Sequence, residues 1–117
     1  MKTSSFRLYT GPGRISIARW APRGCPAGFR VFRPLAPGDW SRSPGGGWVD
    51  AETFVEGYAA QLAALDPQRV WDQLHALAGQ AEPVLLCWEL PGEDCHRHQV
   101  ASWLSRELGV EVPELGI

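Results

Sequence analysis

The side chains best suited to chemistry lie close together in the sequence, between residues 87 and 98. This segment contains two of the three cysteines, two of the three histidines, one arginine and three carboxylates. A cysteine becomes an effective nucleophile when its pKa is lowered, and a carboxylate can serve as a general base. The segment therefore predicts a functional site in which Cys95 and Glu89 are the candidate catalytic residues.

The flanking elements are predicted to place this segment at one edge of a sheet. Residues 15–20 and 83–89 are short apolar runs bounded by glycine, proline or turn residues, which is typical of buried strands. In parallel sheets, ligands bind beyond the carboxyl ends of the strands. Arg19 lies at that end of the first run, and Cys87 and Glu89 lie at that end of the second. We therefore expect these side chains to share one pocket.

The remaining elements are predicted to be helices that cover the sheet. An aspartate precedes each apolar stripe and is a good N-cap, and the third helix is expected to begin at Cys95. These N-cap residues are Asp50, Asp66 and Asp94. Residues 5–9 predict either a strand or a helical turn, and residues 110–112 predict a short final strand. The pattern indicates an α/β fold, a small three-layer domain with a short, mainly parallel sheet flanked by helices.

The start of the third helix is also a candidate anion site. A helix N-terminus offers free N–H groups and a positive partial charge, which bind anions. The same field would lower the pKa of a Cys95 thiol. Arg97 in the first turn, together with Arg19, would hold the anion. His96 is a further candidate for ligand binding, whereas His98, two positions away on a helix, does not face the same point.

Each candidate also has a purely structural interpretation. Cys87 lies in an apolar strand and could be a small buried side chain rather than a ligand-binding residue. Glu89 could be a base, a partner for a hydroxyl or amine of a substrate, or a salt-bridge partner of Arg19. Tyr58 continues the apolar stripe of the first helix, so its hydroxyl contacts a ligand only if it reaches the edge of the site.

Spacing excludes several known types of site. The chain has no C-x-x-C pair, and no arginine follows Cys87 or Cys95 at the spacing of a phosphatase loop. The glycine-rich segments lack the Lys-Ser/Thr of a phosphate-binding P-loop. Zinc could in principle bind Cys87, Cys95 and a histidine, but the spacing matches no structural zinc pattern. The sequence therefore predicts no metal site and leaves the cofactor unknown.

Length and composition indicate a single domain over residues 1–117. The chain is 44% hydrophobic and 21% charged, which is typical of globular proteins. No apolar run approaches the roughly 18 residues of a membrane helix, and the first ten residues lack a signal core. Three cysteines are too few for a disulfide scaffold, so a cytoplasmic location is expected.

The charges are divided unevenly along the chain. Residues 1–49 hold eight of the eleven lysines and arginines but one of the thirteen carboxylates. This basic half could attract an anion such as a phosphate, a nucleotide or a nucleic acid. Alternatively, the two halves neutralise each other when they fold together.

Residues 21–47 are predicted to form a long irregular loop. Eleven of these 27 residues are proline or glycine, which resist regular structure. The segment also contains large apolar side chains, which need to pack. We therefore expect a loop that wraps on the core and acts as a lid.

The order of several short motifs resembles the family called domain of unknown function 488. These motifs are Ile15–Arg19, Leu35–Pro37, Leu65–Pro67, Val84–Glu89, Pro91–Gly92, Cys95–Arg97, Val100–Ala101 and Trp103–Leu104. The resemblance extends over roughly residues 2–115, and it implies a small prokaryotic α/β domain without an established activity. It implies the same site residues, namely Arg19, Cys87, Glu89, Cys95, His96 and Arg97, but no reaction. The glycine and proline content of residues 21–47 departs from the family pattern.

The sequence therefore favours a cytosolic domain with one pocket that binds a small anionic or nucleotide-like ligand. The residue types are compatible with an enzyme and with a binding protein. One alternative is a non-catalytic module that contacts nucleic acid or a partner protein through the basic half. A further alternative is a metal-dependent enzyme that uses Cys87, Cys95 and a histidine. No membrane partner is indicated.

Overall fold

The centre of the fold is a four-stranded parallel sheet. A computed structural model describes residues 1–20, 24, 27–88 and 95–115. Its strands are β1 (Lys2–Ser5), β2 (Arg14–Ser16), β3 (Arg30–Val31) and β4 (Val84–Cys87). Their order across the sheet is β1-β4-β2-β3, and every neighbouring pair is parallel. The predicted α/β fold with a mainly parallel sheet is confirmed.

Strand β4 is the central strand and is buried along its whole length. It pairs with β1 on one side and with β2 on the other. All four of its residues, from Val84 to Cys87, are buried. A strand covered on both faces needs a continuous apolar sequence rather than an alternating one, which is why Val-Leu-Leu-Cys occurs here.

Three helices account for most of the remaining regular structure, namely α1 (Ala51–Ala63), α2 (Pro67–Ala78) and α3 (His96–Leu108). The predicted N-caps of the first two are confirmed. The Asp50 carboxylate accepts the Thr53 N–H, and the Asp66 carboxylate accepts two N–H groups of the first turn of α2. Such caps satisfy backbone donors that have no partner inside the helix.

Two predictions near the C-terminus are wrong. The N-cap of α3 is Cys95 rather than Asp94, and the helix begins at His96. Residues 110–112 do not form a strand, and the pairing in this region is one isolated bridge between Thr3 and Glu114. The segment after α3 therefore contacts the edge of β1 without extending the sheet by a full strand.

The two faces of the sheet are covered differently. All three helices pack with Ile15, Ile17 and Leu85 in one apolar cluster. Val84 and Leu86, which point to the opposite face, pack with non-helical segments that include Phe6, Phe29 and Leu115. The helical layer and this thinner layer thus lie on opposite faces of the sheet.

The described part of the 21–47 loop is packed against α1. It contains β3 and two 3-10 turns, Arg33–Leu35 and Asp39–Ser41. The Gln61 amide accepts hydrogen bonds from the Gly38 N–H and the Trp40 indole, and it donates two to backbone carbonyls of the loop. One side chain of α1 thereby fixes the loop. No helix in the described residues is long and apolar enough to cross a membrane.

Candidate functional site

A cleft of about 710 Å³ opens at the carboxyl edge of the sheet. Its walls are the segments that follow β2 and β4, the first turns of α1, and the exposed side of α3. This location agrees with the general position of ligand sites in parallel sheets. We call it the tryptophan cleft, and its described lining comprises Ala18, Arg19, Trp20, Pro37, Trp48, Val49, Ala51, Phe54, Val55, Cys87, Trp88, Cys95, His96, His98, Gln99 and Ser102.

Aromatic rings and Arg19 form the outer part of the cleft, and Arg42, which does not itself line the cleft, contacts two of these rings. Trp20, Trp48 and Trp88 are 55%, 50% and 39% exposed, which is unusual for the largest apolar side chain. The guanidinium of Arg42 lies 5.0 Å from the Trp20 ring centroid and 4.9 Å from that of Trp48. Arg19 lies 5.3 Å from the same Trp20 ring. These distances are those of cation–π contacts.

Arg19 is oriented by its partners in the loop. It donates to the Pro37 carbonyl at 2.9 Å and to the Asp39 carboxylate at 2.7 Å. Its Nε is buried without a hydrogen-bond partner, and it is the one side-chain polar atom among the described residues with that status. The guanidinium is therefore held in place by the loop, and one of its donors is left without a partner among the described residues.

The inner wall of the cleft carries sulfur and imidazole. Cys87, at the end of β4, forms a disulfide with Cys95, the N-cap of α3. His96 follows directly, and its Nδ1 lies 3.7 Å from the Cys95 sulfur. The opposite nitrogen, Nε2, lies 2.6 Å from the Ile17 carbonyl oxygen. Since a carbonyl can only accept, Nε2 carries the hydrogen, and Nδ1 of the neutral ring presents its lone pair towards the sulfur.

The environment of His96 keeps the imidazole neutral. Burial lowers its pKa to about 4, and the nearby Arg97 charge acts in the same direction, while the hydrogen bond to Ile17 opposes them. The ring also makes an edge-on contact with Tyr58, with 5.2 Å between centroids. At neutral pH the imidazole ring is therefore uncharged and fixed in orientation, and its Nδ1 is available to accept a hydrogen bond.

Arg97 lies behind the cleft rather than in it. Its side chain is fully buried, donates to both carboxylate oxygens of Glu114, and directs Nη1 to the Cys87 sulfur at 3.2 Å. Burial raises the pKa of Glu114, but the hydrogen bonds from Arg97 and Thr3 outweigh this and hold the pKa below its ordinary value. The sequence predicted that Arg97 contacts an anionic ligand, but in the structure it binds the carboxylate of Glu114 instead.

Tyr58 is likewise a core residue in this structure. Its ring is fully buried, and its hydroxyl donates to the Leu35 carbonyl at 2.6 Å. Burial raises its pKa well above the ordinary value. Its relation to the cleft is indirect, because it supports the His96 ring and the loop. Tyr58 therefore acts as part of the apolar stripe of α1, which is the structural one of the two interpretations that the sequence offered for it.

The comparison with known families agrees with the order of motifs in the sequence. Residues 18–104 match the family described as domain of unknown function DUF488. The chain belongs to this family. No curated protein and no solved structure gives a significant match. The matched range contains every side chain that lines the tryptophan cleft, whereas Glu114 lies beyond it.

In this member of the domain of unknown function 488 family, the cleft brings together four of the seven predicted site residues. The four that line the cleft are Arg19, Cys87, Cys95 and His96. Two more, Arg97 and Tyr58, support it from inside. The seventh, Glu89, lies outside the described residues. The tryptophan content predicted an exposed aromatic patch, but sequence reasoning did not place the individual tryptophans of the outer wall. It also missed the Arg42 guanidinium between two of them, and Glu114. The unusual number of tryptophans, six in 117 residues, was the signal for an aromatic surface.

Proposed function

We propose that the protein binds a nucleotide-like ligand, an aromatic base carrying phosphate, in the tryptophan cleft. The observation that carries the proposal is the combination of half-exposed indole rings with arginines at one edge of the sheet. Indole faces stack on bases, and arginine suits both phosphate recognition and stacking. The cleft volume of about 710 Å³ is in the range of small-molecule sites.

The charges around the cleft favour an anionic ligand. Its described lining includes the positively charged Arg19 and no aspartate or glutamate. Among the described residues, Asp39 is the one carboxylate paired with Arg19. A ligand that carries both a flat ring and an anionic group would contact the indole rings and the arginines at the same time.

Arg42 is the residue expected to respond most directly to such a ligand. Its guanidinium already contacts two indole rings, and it is only partly exposed. No ion pair or hydrogen bond to an acidic side chain holds it among the described residues. Binding of a base against Trp48, with phosphate near Arg42, would keep the cation–π contacts and add an ionic one.

Calorimetric titration with nucleotides tests the proposal. We expect a nucleoside diphosphate or triphosphate to bind more tightly than either adenosine or pyrophosphate alone. Arg42→Gln should weaken binding about tenfold, because one charge and its stacking contact are lost. Arg69→Gln is the matched control, since Arg69 is an exposed arginine of α2 away from the cleft, and it should bind normally. Equal effects of the two substitutions, or no binding of any nucleotide, would disprove the proposal.

A second candidate is recognition of the end of a single-stranded nucleic acid. The same exposed indole rings and arginines would stack successive bases and contact the backbone. Affinity would then increase from mononucleotide to tetranucleotide and fall steeply with salt. Affinity that does not change with length favours the mononucleotide.

The proposed catalytic residues would act on this bound ligand in a cytosolic, reducing environment. In the disulfide the Cys95 sulfur cannot act as a nucleophile, so a covalent role for Cys95 requires the reduced protein. Glu89 would serve as a base from the segment between β4 and α3. Alkylation of the reduced protein by iodoacetamide across pH tests Cys95, because an activated thiolate reacts faster than a free thiol at neutral pH.

A further inference from the structure

We propose that Cys87, Cys95 and His96 form a binding site for a thiophilic divalent cation such as Zn²⁺ in the reduced protein. We call these residues the Cys–His cluster. The proposal goes beyond nucleotide binding and does not depend on it. It rests on the arrangement of three ligand atoms, on the hydrogen bonds that hold them, and on an open side towards the cleft.

The three ligand atoms lie close enough to share one ion. One sulfur from each cysteine and one imidazole nitrogen all lie within 4.8 Å of one another. Zinc–sulfur and zinc–nitrogen bonds of about 2.3 and 2.0–2.1 Å place neighbouring tetrahedral ligands about 3.6 Å apart. The distance from Nδ1 of His96 to the Cys95 sulfur is 3.7 Å. This pair already has the spacing of two ligands on one zinc ion.

The imidazole is fixed in the orientation that a metal ligand requires. Histidine ligands commonly donate their second ring nitrogen to a carbonyl or carboxylate, which sets the tautomer. Nε2 of His96 makes this contact with the Ile17 carbonyl, so Nδ1 is the free nitrogen. The edge-on ring of Tyr58 limits rotation of the imidazole.

The thiolates of such a site would also be supported. Nη1 of Arg97 lies 3.2 Å from the Cys87 sulfur, and the Arg97–Glu114 ion pair holds that guanidinium in place. Two thiolates neutralise a divalent ion, while Glu114 neutralises Arg97. The partly buried assembly would therefore carry no net charge, which limits the cost of removing it from water.

The cluster leaves one coordination position open. All three of its residues line the tryptophan cleft. Three protein ligands with a fourth position for water or substrate is the arrangement of catalytic rather than structural zinc sites. A ligand in the cleft could thus coordinate an ion held by the cluster.

The disulfide and the metal site are alternative states of the same two sulfurs. Two equivalents of a small thiol reduce the disulfide, which yields the Cys87 and Cys95 thiols and one oxidised disulfide of the reductant. Metal binding then releases the two thiol protons. The Cα atoms of the cysteines are 7.3 Å apart, beyond the roughly 4.4–6.8 Å usual for disulfides, which leaves room for two unbonded sulfurs.

The test compares one protein in two redox states. Protein carrying Cys25→Ser, which removes the third cysteine, is prepared reduced and oxidised and titrated with Co²⁺ and then Zn²⁺. We expect the reduced protein to bind one cobalt ion per chain, with thiolate charge-transfer absorption that zinc abolishes. The oxidised protein should show none. Equal metal binding in both states would overturn the proposal, and this comparison needs no substitution in the cluster.

Substitutions of histidine then identify the third ligand. His96→Gln keeps a donor for the Ile17 carbonyl but removes Nδ1, so it should change the cobalt spectrum and weaken zinc binding. His98→Gln is the control, because His98 lies on the same helix but outside the cluster. If both variants keep the wild-type spectrum and affinity, His96 is not a ligand and the proposed site is wrong.

Discussion

The two sides of the carboxyl edge use arginine in opposite ways. At the end of β4, Arg97 is fully buried, and its hydrogen bonds go to Glu114 and the Cys87 sulfur. At the end of β2, Arg42 lies partly exposed between indole rings, and Arg19 retains an unpartnered nitrogen. We call the end of β4 the closed side, because its arginine bonds to groups inside the protein. We call the end of β2 the open side, because its arginines lie beside partly exposed indole rings.

This difference separates stability from binding within one site. A buried guanidinium with a bidentate carboxylate contributes to folding, because removing either partner leaves an uncompensated charge. An exposed guanidinium on an aromatic face contributes little to folding but remains available to a ligand. Residue type alone therefore does not distinguish a scaffold arginine from a ligand-binding one.

The largest expected effect is on the closed side. Arg97→Gln should lower the free energy of unfolding by about 3 kcal/mol, because Glu114 and Cys87 lose their cationic partner. Urea denaturation measures this change. Arg106→Gln on the same helix is the control, since Arg106 is exposed and its only ion pair with a described residue is a 4.0 Å contact with Glu107. Similar losses of unfolding free energy in both variants would show that the buried Arg97–Glu114 pair stabilises the fold no more than an exposed arginine does.

A smaller effect is expected where the loop is attached to α1. Gln61→Ala removes four hydrogen bonds to residues 34–40 and should cost about 1–2 kcal/mol of unfolding free energy. Backbone amides of this loop should exchange faster with deuterium. Gln68→Ala provides the control, because within the described part of the chain that exposed side chain bonds only to Asp72. Unchanged exchange in Gln61→Ala would mean that other contacts fix the open side.

Part of the pH dependence of stability should report the closed side. His96, whose pKa is lowered to about 4, adds a separate loss of stability as the pH falls from 6.5 towards 4. The folded-state pKa of Glu114 lies below its ordinary value of 4.5, so the carboxylate stabilises the fold above that pH. This contribution should disappear as the pH falls below 4.5 and Glu114 becomes protonated. Glu114→Gln should flatten the acid limb of a stability–pH curve measured by thermal denaturation. An acid limb identical to wild type would assign the dependence to other groups.

The smallest effect on folding is expected for Arg42. Arg42→Gln should lower the free energy of unfolding by about 1 kcal/mol or less, since each cation–π contact near the surface contributes only about 0.5–1 kcal/mol and glutamine can still pack on the rings. The same variant is expected to lose nucleotide affinity. Chemical denaturation and ligand titration on one preparation would compare the two effects. A large loss of stability would place Arg42 with Arg97 as a scaffold residue.

The sequence predicted the local features of the fold better than its long-range contacts. Asp50 and Asp66 were found because capping depends on residues within one turn. The apolar run 83–89 contains β4, and the carboxyl-edge rule placed Arg19 and Cys87 at one cleft. The third N-cap was missed because Asp94 is as good a capping residue as the other two.

The missed interactions all join distant parts of the chain. Glu114 follows no hydrophobic period, so nothing in its neighbourhood indicates that it pairs with Arg97. Gln61 is a polar residue within a helix, and its four loop contacts depend on where residues 34–40 fold back. The contact of Arg42 with Trp20 has the same origin. Such contacts are properties of the packed structure rather than of a short sequence window.

The position of β4 has a consequence for how the chain folds. Strands β1 and β2 are not hydrogen-bonded to each other, because β4, which begins at Val84, lies between them. The complete four-stranded sheet therefore cannot form while the first 83 residues alone have emerged from a ribosome, although β2 and β3 pair directly with each other. Closure over such long sequence separations slows folding. We expect the nascent chain to complete its sheet late in synthesis, and the cleft to be assembled in the same final step.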